Sequence, residues 1–381
     1  MTPRRYQLRK EAVSVVERGH PWVFRDQLSS AASVFSDGDW LRLVDGANRV
    51  IGFGMFEAAG AIAIRVLRRG TEPPNAAWLR AQLTAALARR SSLTAHTDGI
   101  RLVNGESDGL PATVIDRFGD TLVGQSYSRG ADAMTRLAVT ALARELAIAN
   151  VMLRPATRRR AEPTAGRVLC GAPPAVGTFV EAGVTFHVDL AGGQKSGAYL
   201  DLRGLRRWVA AQPLAGKRVL NLFCYSGMLG RMAELAGAAS IVQVDASERA
   251  IAFAAEHHVI DRARHSFVCA DIFDWLPARE PTEQFDLVIV DPPAMTSDKS
   301  AVPRVLAGYR KLYRAAAPLV APGGALVAAC CTSRIDRAVF EQTLRATLGN
   351  QLTRDQSIPP EPDHPVEFRE ADYLKIICWR R

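Results

Sequence analysis

The sequence has few lysines and no cysteine pattern typical of a metal site. Its six cysteines form no C-x-x-C pair and no Cys/His cluster, which argues against structural zinc, and we expect them to be free thiols. No apolar run approaches the roughly 20 residues that span a bilayer, and the first residues show no signal-peptide pattern. We therefore expect a cytoplasmic protein that holds no metal and does not enter a membrane.

The charged residues that are present favour a polyanionic partner. The 381 residues carry a net charge of +9, although only six of the 48 basic residues are lysine. A basic surplus suits RNA, but a GC-rich genome also produces an arginine bias of this kind. Residues 1–72 are only mildly positive, with eleven basic and eight acidic side chains. Charge therefore leaves RNA binding open.

The chain is long enough for two or three domains, and its first half divides by pattern into two. Residues 1–72 contain short strand-like runs at 39–44 and 61–67 that are separated by glycines, which predicts a small β domain. Residues 75–176 predict a central α+β domain, with helices at 76–90 and 131–149 around strands at 112–116 and 121–125. The linker at its end contains Arg158-Arg159-Arg160, which is either an RNA contact or a solvated turn.

Residues 177–381 alternate between strand and helix patterns, and predict a doubly wound α/β sheet. A helix is expected at 247–258, and the turn Pro322-Gly-Gly precedes the last predicted strand. In such a sheet the ligands bind at the carboxyl ends of the strands. The buried parallel strands are expected at 218–222, 240–245, 265–269, 285–291 and 325–330.

Residues at four of these strand ends suggest S-adenosylmethionine (SAM) as the cofactor. The loop after the first strand has Gly227 and Gly230 but lacks the G-x-G-x-x-G pattern of a dinucleotide site, so a nicotinamide oxidoreductase is disfavoured. Asp245 is placed to bind ribose hydroxyls, and Asp271 to accept from an adenine amino group. Either acid alone could be a helix cap, but together with Asp291 they form a constellation that caps explain poorly.

The substrate side is predicted from the two following strand ends. Asp291-Pro292-Pro293 forms a rigid loop suited to a nucleobase edge, or alternatively a simple turn. Cys330 and Cys331 close the last strand, and at most one of them can face the cleft because successive side chains alternate. A thiolate there would activate carbon 5 of a pyrimidine by adding to carbon 6, and Arg334 is the nearby cation. The alternative is that both cysteines are core residues.

The chain resembles the RlmI-like family of bacterial large-subunit ribosomal RNA methyltransferases, which modify cytosine at carbon 5. The resemblance is carried by three strings: 18–24 (RGHPWVF), 101–112 (RLVNGESDGLPA) and 193–203 (GQKSGAYLDLR). It implies an N-terminal PUA domain, which is an RNA-binding β-barrel, a central linking domain, and a Rossmann-like class I methyltransferase domain at 177–381. It also implies ribosomal RNA as the partner, with a homodimer as the candidate oligomer.

The resemblance assigns roles to individual residues. Cys331 and Asp291 become the catalytic residues, with Cys331 as the nucleophile, and Pro292, Pro293 and Arg334 contact the substrate. The implied cofactor-binding residues are Gln194, Lys195, Tyr199, Asn221, Phe223, Ser226, Gly227, Asp245, Ala246, Asp271, Ile272 and Asp291.

Two departures from the family pattern leave alternatives open. Ala294-Met295 stands where the family has lysine and an aromatic residue, and Thr332-Ser333-Arg334 replaces the usual Ser-Gly type of continuation. Both changes affect the substrate pocket. Methylation of another base or a ring nitrogen without a nucleophilic cysteine therefore remains an alternative, as does an RNA-binding protein that has lost catalysis.

Overall fold

The computed structural model describes residues 2–154, 166–296, 298–349 and 351–381. The chain folds as two compact units: an N-terminal unit of Met1–Leu200 with Pro362–Pro365, and a C-terminal unit of Asp201–Glu361 with Val366–Arg381. The arginine triplet at 158–160 lies outside the described residues. In the ranges just given, no helix has the length and apolar character needed to cross a membrane.

The N-terminal unit begins with a five-stranded sheet around a small apolar core. Its elements are β1 (Arg4–Gln7), α1 (Lys10–Glu17), β2 (Trp22–Phe24), β3 (Trp40–Val44), β4 (Val50–Phe56) and β5 (Ile62–Arg69). The strand order is β1-β3-β4-β5-β2, and all pairs except β1–β3 are antiparallel. Val16 of α1 packs with Leu41 and Ile64 in this core. The predicted β domain is present, with both predicted strands.

A second sheet of five strands and a hairpin complete this unit. Their elements are α2 (Ala76–Arg89), β6 (Gly99–Asn104), β7 (Thr113–Phe118), β8 (Thr121–Ser126), α3 (Asp132–Glu145), β9 (Asn150–Arg154), β10 (Arg167–Cys170), β11 (Val176–Glu181) and β12 (Val184–Asp189). The order is β10-β9-β8-β7-β6. Strand β6 was not predicted, because buried charges such as Arg101 interrupt its apolar pattern.

The β11–β12 hairpin belongs to the N-terminal unit, whereas the catalytic domain was predicted to begin at residue 177. Phe179 of the hairpin lies against Phe118, with ring centroids 5.8 Å apart, and fills the space beside Gly99. Arg154 of β9 also donates to the carbonyl of Leu190, at 2.8 Å. These contacts are tertiary and leave no mark on the local sequence pattern. The division into three domains stays a prediction.

The C-terminal unit is a seven-stranded α/β sheet, which confirms the predicted Rossmann-like fold. Its elements are α4 (Arg203–Ala210), β13 (Arg218–Leu222), α5 (Met228–Leu235), β14 (Ser240–Asp245), α6 (Glu248–His257), β15 (His265–Cys269), α7 (Ile272–Trp275), β16 (Phe285–Val290), α8 (Val302–Ala316), β17 (Val320–Cys330), α9 (Arg337–Leu348), β18 (Thr353–Ile358) and β19 (Lys375–Arg380). The order is β15-β14-β13-β16-β17-β19-β18, and only the pairs of β19 are antiparallel.

Strand β17 begins earlier than predicted. The turn expected at Pro322-Gly-Gly lies inside the strand, where the pairing with β16 jumps from Phe285↔Val320 to Leu287↔Ala325. The extra residues form a bulge, and Gly323 takes a positive φ of 76° there, which a glycine adopts without strain. The strand then continues to its end at Cys330.

Candidate active site

The loop after β13 has an unusual backbone. Phe223, Tyr225 and Gly227 all have positive φ, at 59°, 47° and 79°. Two of these are non-glycine residues, and such strain persists only where the surroundings fix it and is frequent at ligand sites. The amide of Tyr225 donates to a carboxylate oxygen of Asp245 at 2.8 Å, and the amide of Cys224 to the carbonyl of Val244 at 3.0 Å. Strand β14 therefore holds the loop in shape.

A chain of buried polar side chains lies behind this loop. The Asn221 amide donates to Gln243 at 3.2 Å, Gln243 bonds His265 at 3.1 Å, and His265 lies 3.1 Å from Glu234. Burial lowers the pKa of His265, although Glu234 opposes the effect. A Cβ on Gly230 would stand 2.4 Å from Gln243, so this position requires glycine. The Asn221 side chain is part of the interior, so only its backbone is available for the cofactor contact predicted for it.

The two predicted cofactor acids differ in their local roles. Both oxygens of Asp245 accept backbone amides, from Tyr225 at 2.8 Å and from Ser247 at 2.9 Å. Asp271 is exposed and caps α7, accepting the Phe273 amide at 2.8 Å, so the capping alternative does apply to it. Ile272 is buried in the core, whereas Ala246 is exposed.

These groups share one edge of the sheet. Strands β15, β14, β13, β16 and β17 are neighbours in that order and run parallel, so their carboxyl ends point the same way. The strained loop, Asp245, Asp271, Asp291 and Cys331 each follow one of these strands. The acids and the cysteine that are far apart in sequence are thereby arranged along a single cleft edge.

The two adjacent cysteines have opposite environments. Cys330 is fully buried in the hydrophobic core, whereas Cys331 is half-buried. The Cys331 thiol donates to the carbonyl of Pro292, 3.3 Å away, so it lies directly against the Asp-Pro-Pro loop. Pro292 is itself buried, and Pro293 is exposed. Strand alternation therefore leaves one cysteine for the edge of the sheet, as the sequence analysis expected.

Thr332 ties the end of β17 to its neighbours. Its hydroxyl accepts the amide of Met295 at 3.3 Å and shares a hydrogen bond of 3.3 Å with the hydroxyl of Tyr309 on α8. Its carbonyl accepts from the ammonium of Lys375 on β19, at 2.9 Å. The residue that follows Cys331 is thus bonded to three separate elements. Sequence reasoning noted Thr332 only as a departure from a pattern, and missed Tyr309 and Lys375 altogether.

Arg334, the cation predicted to help the cysteine, lies at the surface. Hydrogen bonds from Ser300 lower the pKa of Asp298, and the charges of Arg334 and Arg304 add to that effect. The charge of Arg334 therefore acts on an exposed carboxylate. Lys375, in contrast, is buried and lies near both cysteines.

The segment containing Gln194, Lys195 and Tyr199 lies in the N-terminal unit. The Tyr199 hydroxyl donates to Gln194 at 3.0 Å, and the ammonium of Lys195 stands 4.4 Å from the Tyr199 ring centre. Lys195 has a positive φ of 52°. Buried Arg154 donates to the carbonyl of Lys195, and the Ser196 hydroxyl donates to buried Asp116. Buried Arg154 and Asp116 therefore hold this strained segment in place. Their role follows from their burial in the fold, which the sequence alone does not show.

The strained glycine loop and the acids after successive parallel strands define a Rossmann-like methyltransferase. The family model of S-adenosylmethionine-dependent methyltransferases matches residues 132–375, and that of the PUA-like domain matches residues 7–69. The chain therefore belongs to the SAM-dependent methyltransferase family, with a PUA-like domain at its N-terminal end. SAM is its cofactor.

Relatives of similar length carry ribosomal RNA names. The chain is 33% identical to the ribosomal RNA large subunit methyltransferase of Deinococcus radiodurans, over 98% of this chain and 96% of that protein. It is 31% identical to ribosomal RNA large subunit methyltransferase I of Shewanella amazonensis, over 99% of both. Among solved structures, a methyltransferase complexed with SAH superposes with a TM-score of 0.87, at 20% identity, over 99% of this chain and 100% of that one. At 20% identity, the superposition on this solved structure shows a shared fold.

Proposed function

We propose that this protein methylates carbon 5 of a cytosine in large-subunit ribosomal RNA, with Cys331 as the nucleophile. The observation that carries the proposal is the pair Cys330 and Cys331: one thiol is sealed in the core and the other lies 3.3 Å from the Pro292 carbonyl, at the cleft edge. The names of the relatives support ribosomal RNA as the substrate.

The residues at the edge fit SAM. The loop after β13 turns sharply at the end of the strand through its three positive φ angles. A Cβ on Gly227 would stand 2.8 Å from Ala254, so the loop packs closely on the interior. Asp245 would accept the ribose hydroxyls, since amides hold both its oxygens in place and each oxygen keeps a second lone pair. Asp271 would accept from the adenine amino group. Ala246 and the backbone of Ile272 would border the ring, and Phe223, Ser226 and Asn221 would line the loop side.

Carbon 5 of cytosine is a weak nucleophile, and this explains the need for a thiolate. When bound, SAM supplies an electrophilic methyl group. The Cys331 thiolate adds to carbon 6, forming an S–C bond and making carbon 5 an enamine carbon that is methylated. Loss of the carbon-5 proton then breaks the S–C bond and releases the thiolate. Asp291, Pro292 and Pro293 would hold the base edge, and Arg334 a neighbouring phosphate.

Replacing each of the two cysteines in turn with alanine tests the mechanism. We expect Cys331→Ala to lower methyl transfer to undermethylated ribosomal RNA by at least about 10³-fold, the scale seen when a nucleophile is removed. SAM affinity, measured by calorimetry, should stay unchanged. Cys330→Ala is the matched control, since it removes the same group one residue earlier and outside the cleft. RNA containing 5-fluorocytidine should trap the wild-type protein covalently and fail to trap Cys331→Ala.

Other outcomes separate the alternatives. If Cys331→Ala keeps its turnover, the covalent route is wrong and a non-covalent methylation of another atom takes its place. If calorimetry detects no SAM binding to the wild-type protein, catalysis itself has been lost. Mass spectrometry of ribosomal RNA from a strain that lacks the gene identifies the modified base directly.

A further inference from the structure

Lys375 is fully buried beside the end of β17. In the β17–β19 pair it stands opposite Cys330, so its backbone lies one residue from Cys331. Its ammonium donates to the carbonyls of Thr332 at 2.9 Å and Tyr373 at 2.8 Å, with Asp372 at 3.5 Å. All of these acceptors are neutral backbone groups. Lysine is rarely buried without a counter-ion, because removing its charge from water is costly.

The charged groups around Lys375 are otherwise engaged. The Asp372 carboxylate is paired with Arg337 of α9 at 2.7 Å, and within the described part of the chain Lys375 makes no ion pair of its own. Burial lowers the pKa of Lys375, while the Cys330 thiol, Asp372 and the Cys331 thiol raise it and Arg337 lowers it further. Of these groups, Cys330 is sealed in the core and Asp372 is paired with Arg337, so half-buried Cys331 is the one that can gain a new negative charge.

We propose that Lys375 is a positioning residue for Cys331: its ammonium fixes the peptide after the cysteine and supplies the positive charge that stabilises the thiolate. This inference rests on the proposed function, since it concerns how the proposed nucleophile is formed. The thiol S–H bond breaks, its proton passes to solvent, and the sulfur lone pair is then available to form the bond to carbon 6. The sequence nominated Arg334 for this role, but Arg334 is exposed.

Thr332 explains how a buried cation can act at the edge. Its carbonyl is bonded to Lys375, and its hydroxyl accepts the amide of Met295, which follows the Asp-Pro-Pro loop. The same loop accepts the Cys331 thiol at the Pro292 carbonyl. The protonated Cys331 side chain is therefore held against the loop, and the residue that follows it is held by Lys375.

The first test uses the wild-type protein, without SAM or RNA. The rate of iodoacetamide alkylation is followed from pH 5 to pH 10, and each cysteine is scored by mass spectrometry of its own peptide. Cys170, which is exposed on β10, is the internal reference. We expect Cys331 to reach half of its plateau rate at least about one pH unit below Cys170, a tenfold difference in thiolate population. Coincident profiles would overturn the proposal.

Three single variants assign the cation. Lys375→Met should move the Cys331 profile to higher pH and lower its alkylation rate at pH 7 about tenfold. Arg334→Met, which removes the exposed candidate, should leave that profile unchanged, as should Lys311→Met, which removes an exposed lysine of the same unit. A shift in Arg334→Met, or none in a folded Lys375→Met, contradicts the inference. If Lys375→Met does not fold, the inference can still be overturned, either by coincident Cys331 and Cys170 profiles in the wild type or by a shifted Cys331 profile in Arg334→Met.

This readout is independent of methyl transfer. Should Cys331→Ala retain turnover, the proposed function fails whatever the alkylation profile shows. Should Cys331→Ala abolish turnover while Cys331 and Cys170 react alike, the nucleophile stands and only the role of Lys375 fails. In the supported case, Lys375→Met also shifts the pH profile of kcat to higher pH with KM for SAM unchanged.

Discussion

The two compact units bury charged groups in different ways. In the N-terminal unit, Arg90 and Asp108 are both inaccessible and form two hydrogen bonds, the first at 2.8 Å, and Arg101 pairs with Asp116 in the same manner at 2.8 and 3.0 Å. At the edge of the C-terminal unit, the partners of Lys375 among the described residues are backbone carbonyls, and those of Asp245 are backbone amides. In the first arrangement two opposite charges neutralise each other, whereas in the second a single charge is held in place by neutral backbone groups.

This difference separates stability from function. A buried pair whose charges cancel has little field left for a ligand, and its loss is felt as unfolding. A charge held by neutral dipoles keeps its field, and can act on a thiolate or a ribose hydroxyl. Arg101 and Asp108 lie within the string 101–112, so polar residues of that string form the buried ion pairs of this unit.

Breaking one of the buried ion pairs of the N-terminal unit should have the largest effect on stability. Arg90→Met leaves the Asp108 carboxylate buried without its partner, and we expect the free energy of unfolding of the N-terminal unit to fall by about 3–5 kcal/mol. Arg89→Ala is the control. The Arg89 side chain is a third exposed and lies 3.7 Å from Asp108, farther than Arg90, so its removal should lower the free energy of unfolding by under about 1 kcal/mol. Urea unfolding followed by near-ultraviolet circular dichroism measures both. Equal losses would remove the distinction.

Neutralising a single charge that backbone groups hold in place should instead reduce the affinity for SAM. Asp245→Asn keeps the size of the side chain but replaces an oxygen with a donor, and we expect SAM to bind about 10- to 100-fold more weakly. Asp274→Asn, on the exposed side of α7, is the matched control and should bind SAM normally. Calorimetry gives both affinities. A normal affinity for Asp245→Asn would contradict the assignment of the ribose contact.

The polar chain behind the loop predicts a pH dependence. Burial lowers the pKa of His265, so the unfolded state binds a proton at a higher pH than the folded state. The stability that neutral His265 contributes is therefore complete above its unfolded pKa of about 6.5, and is lost as the pH falls below it. Urea midpoints at pH 7.5 and pH 5.5 should differ more for the wild type than for His265→Asn. An identical difference would show that His265 does not titrate in this range.

The smallest effect is expected at the surface of the PUA-like domain. A cavity of about 820 Å³ there includes Arg9 and Lys10 among its lining residues. If these side chains contact RNA phosphates, Arg9→Ala should reduce the slope of log affinity against log salt by about 1, and Lys10→Ala by the same amount. Arg42→Ala, an exposed residue of β3 outside the cavity, should not change the slope. Filter binding at several salt concentrations measures it.

The sequence predicted the elements better than their boundaries. The five parallel strands of the C-terminal unit were found because buried parallel strands are continuous apolar runs. Strand β6 was missed, since buried Arg101 interrupts its pattern, and β17 was started late because a bulge resembles a turn. The acids were placed at the correct edge, but the side chains of Asn221 and Ile272 proved to be buried, which strand position alone cannot reveal.

By itself the sequence predicted the α/β fold of the C-terminal unit and the cofactor class, because these follow from periodicity and from strand ends. Alternation limited the cleft to at most one of Cys330 and Cys331, and the family resemblance then selected Cys331. Only the tertiary structure decided which cation accompanies that cysteine. Lys375 is 44 residues away in the chain and sits on an antiparallel strand, and its burial depends on contacts with Thr332 and Tyr373. Burial and partnership are properties of packing, so a local pattern favoured exposed Arg334 instead.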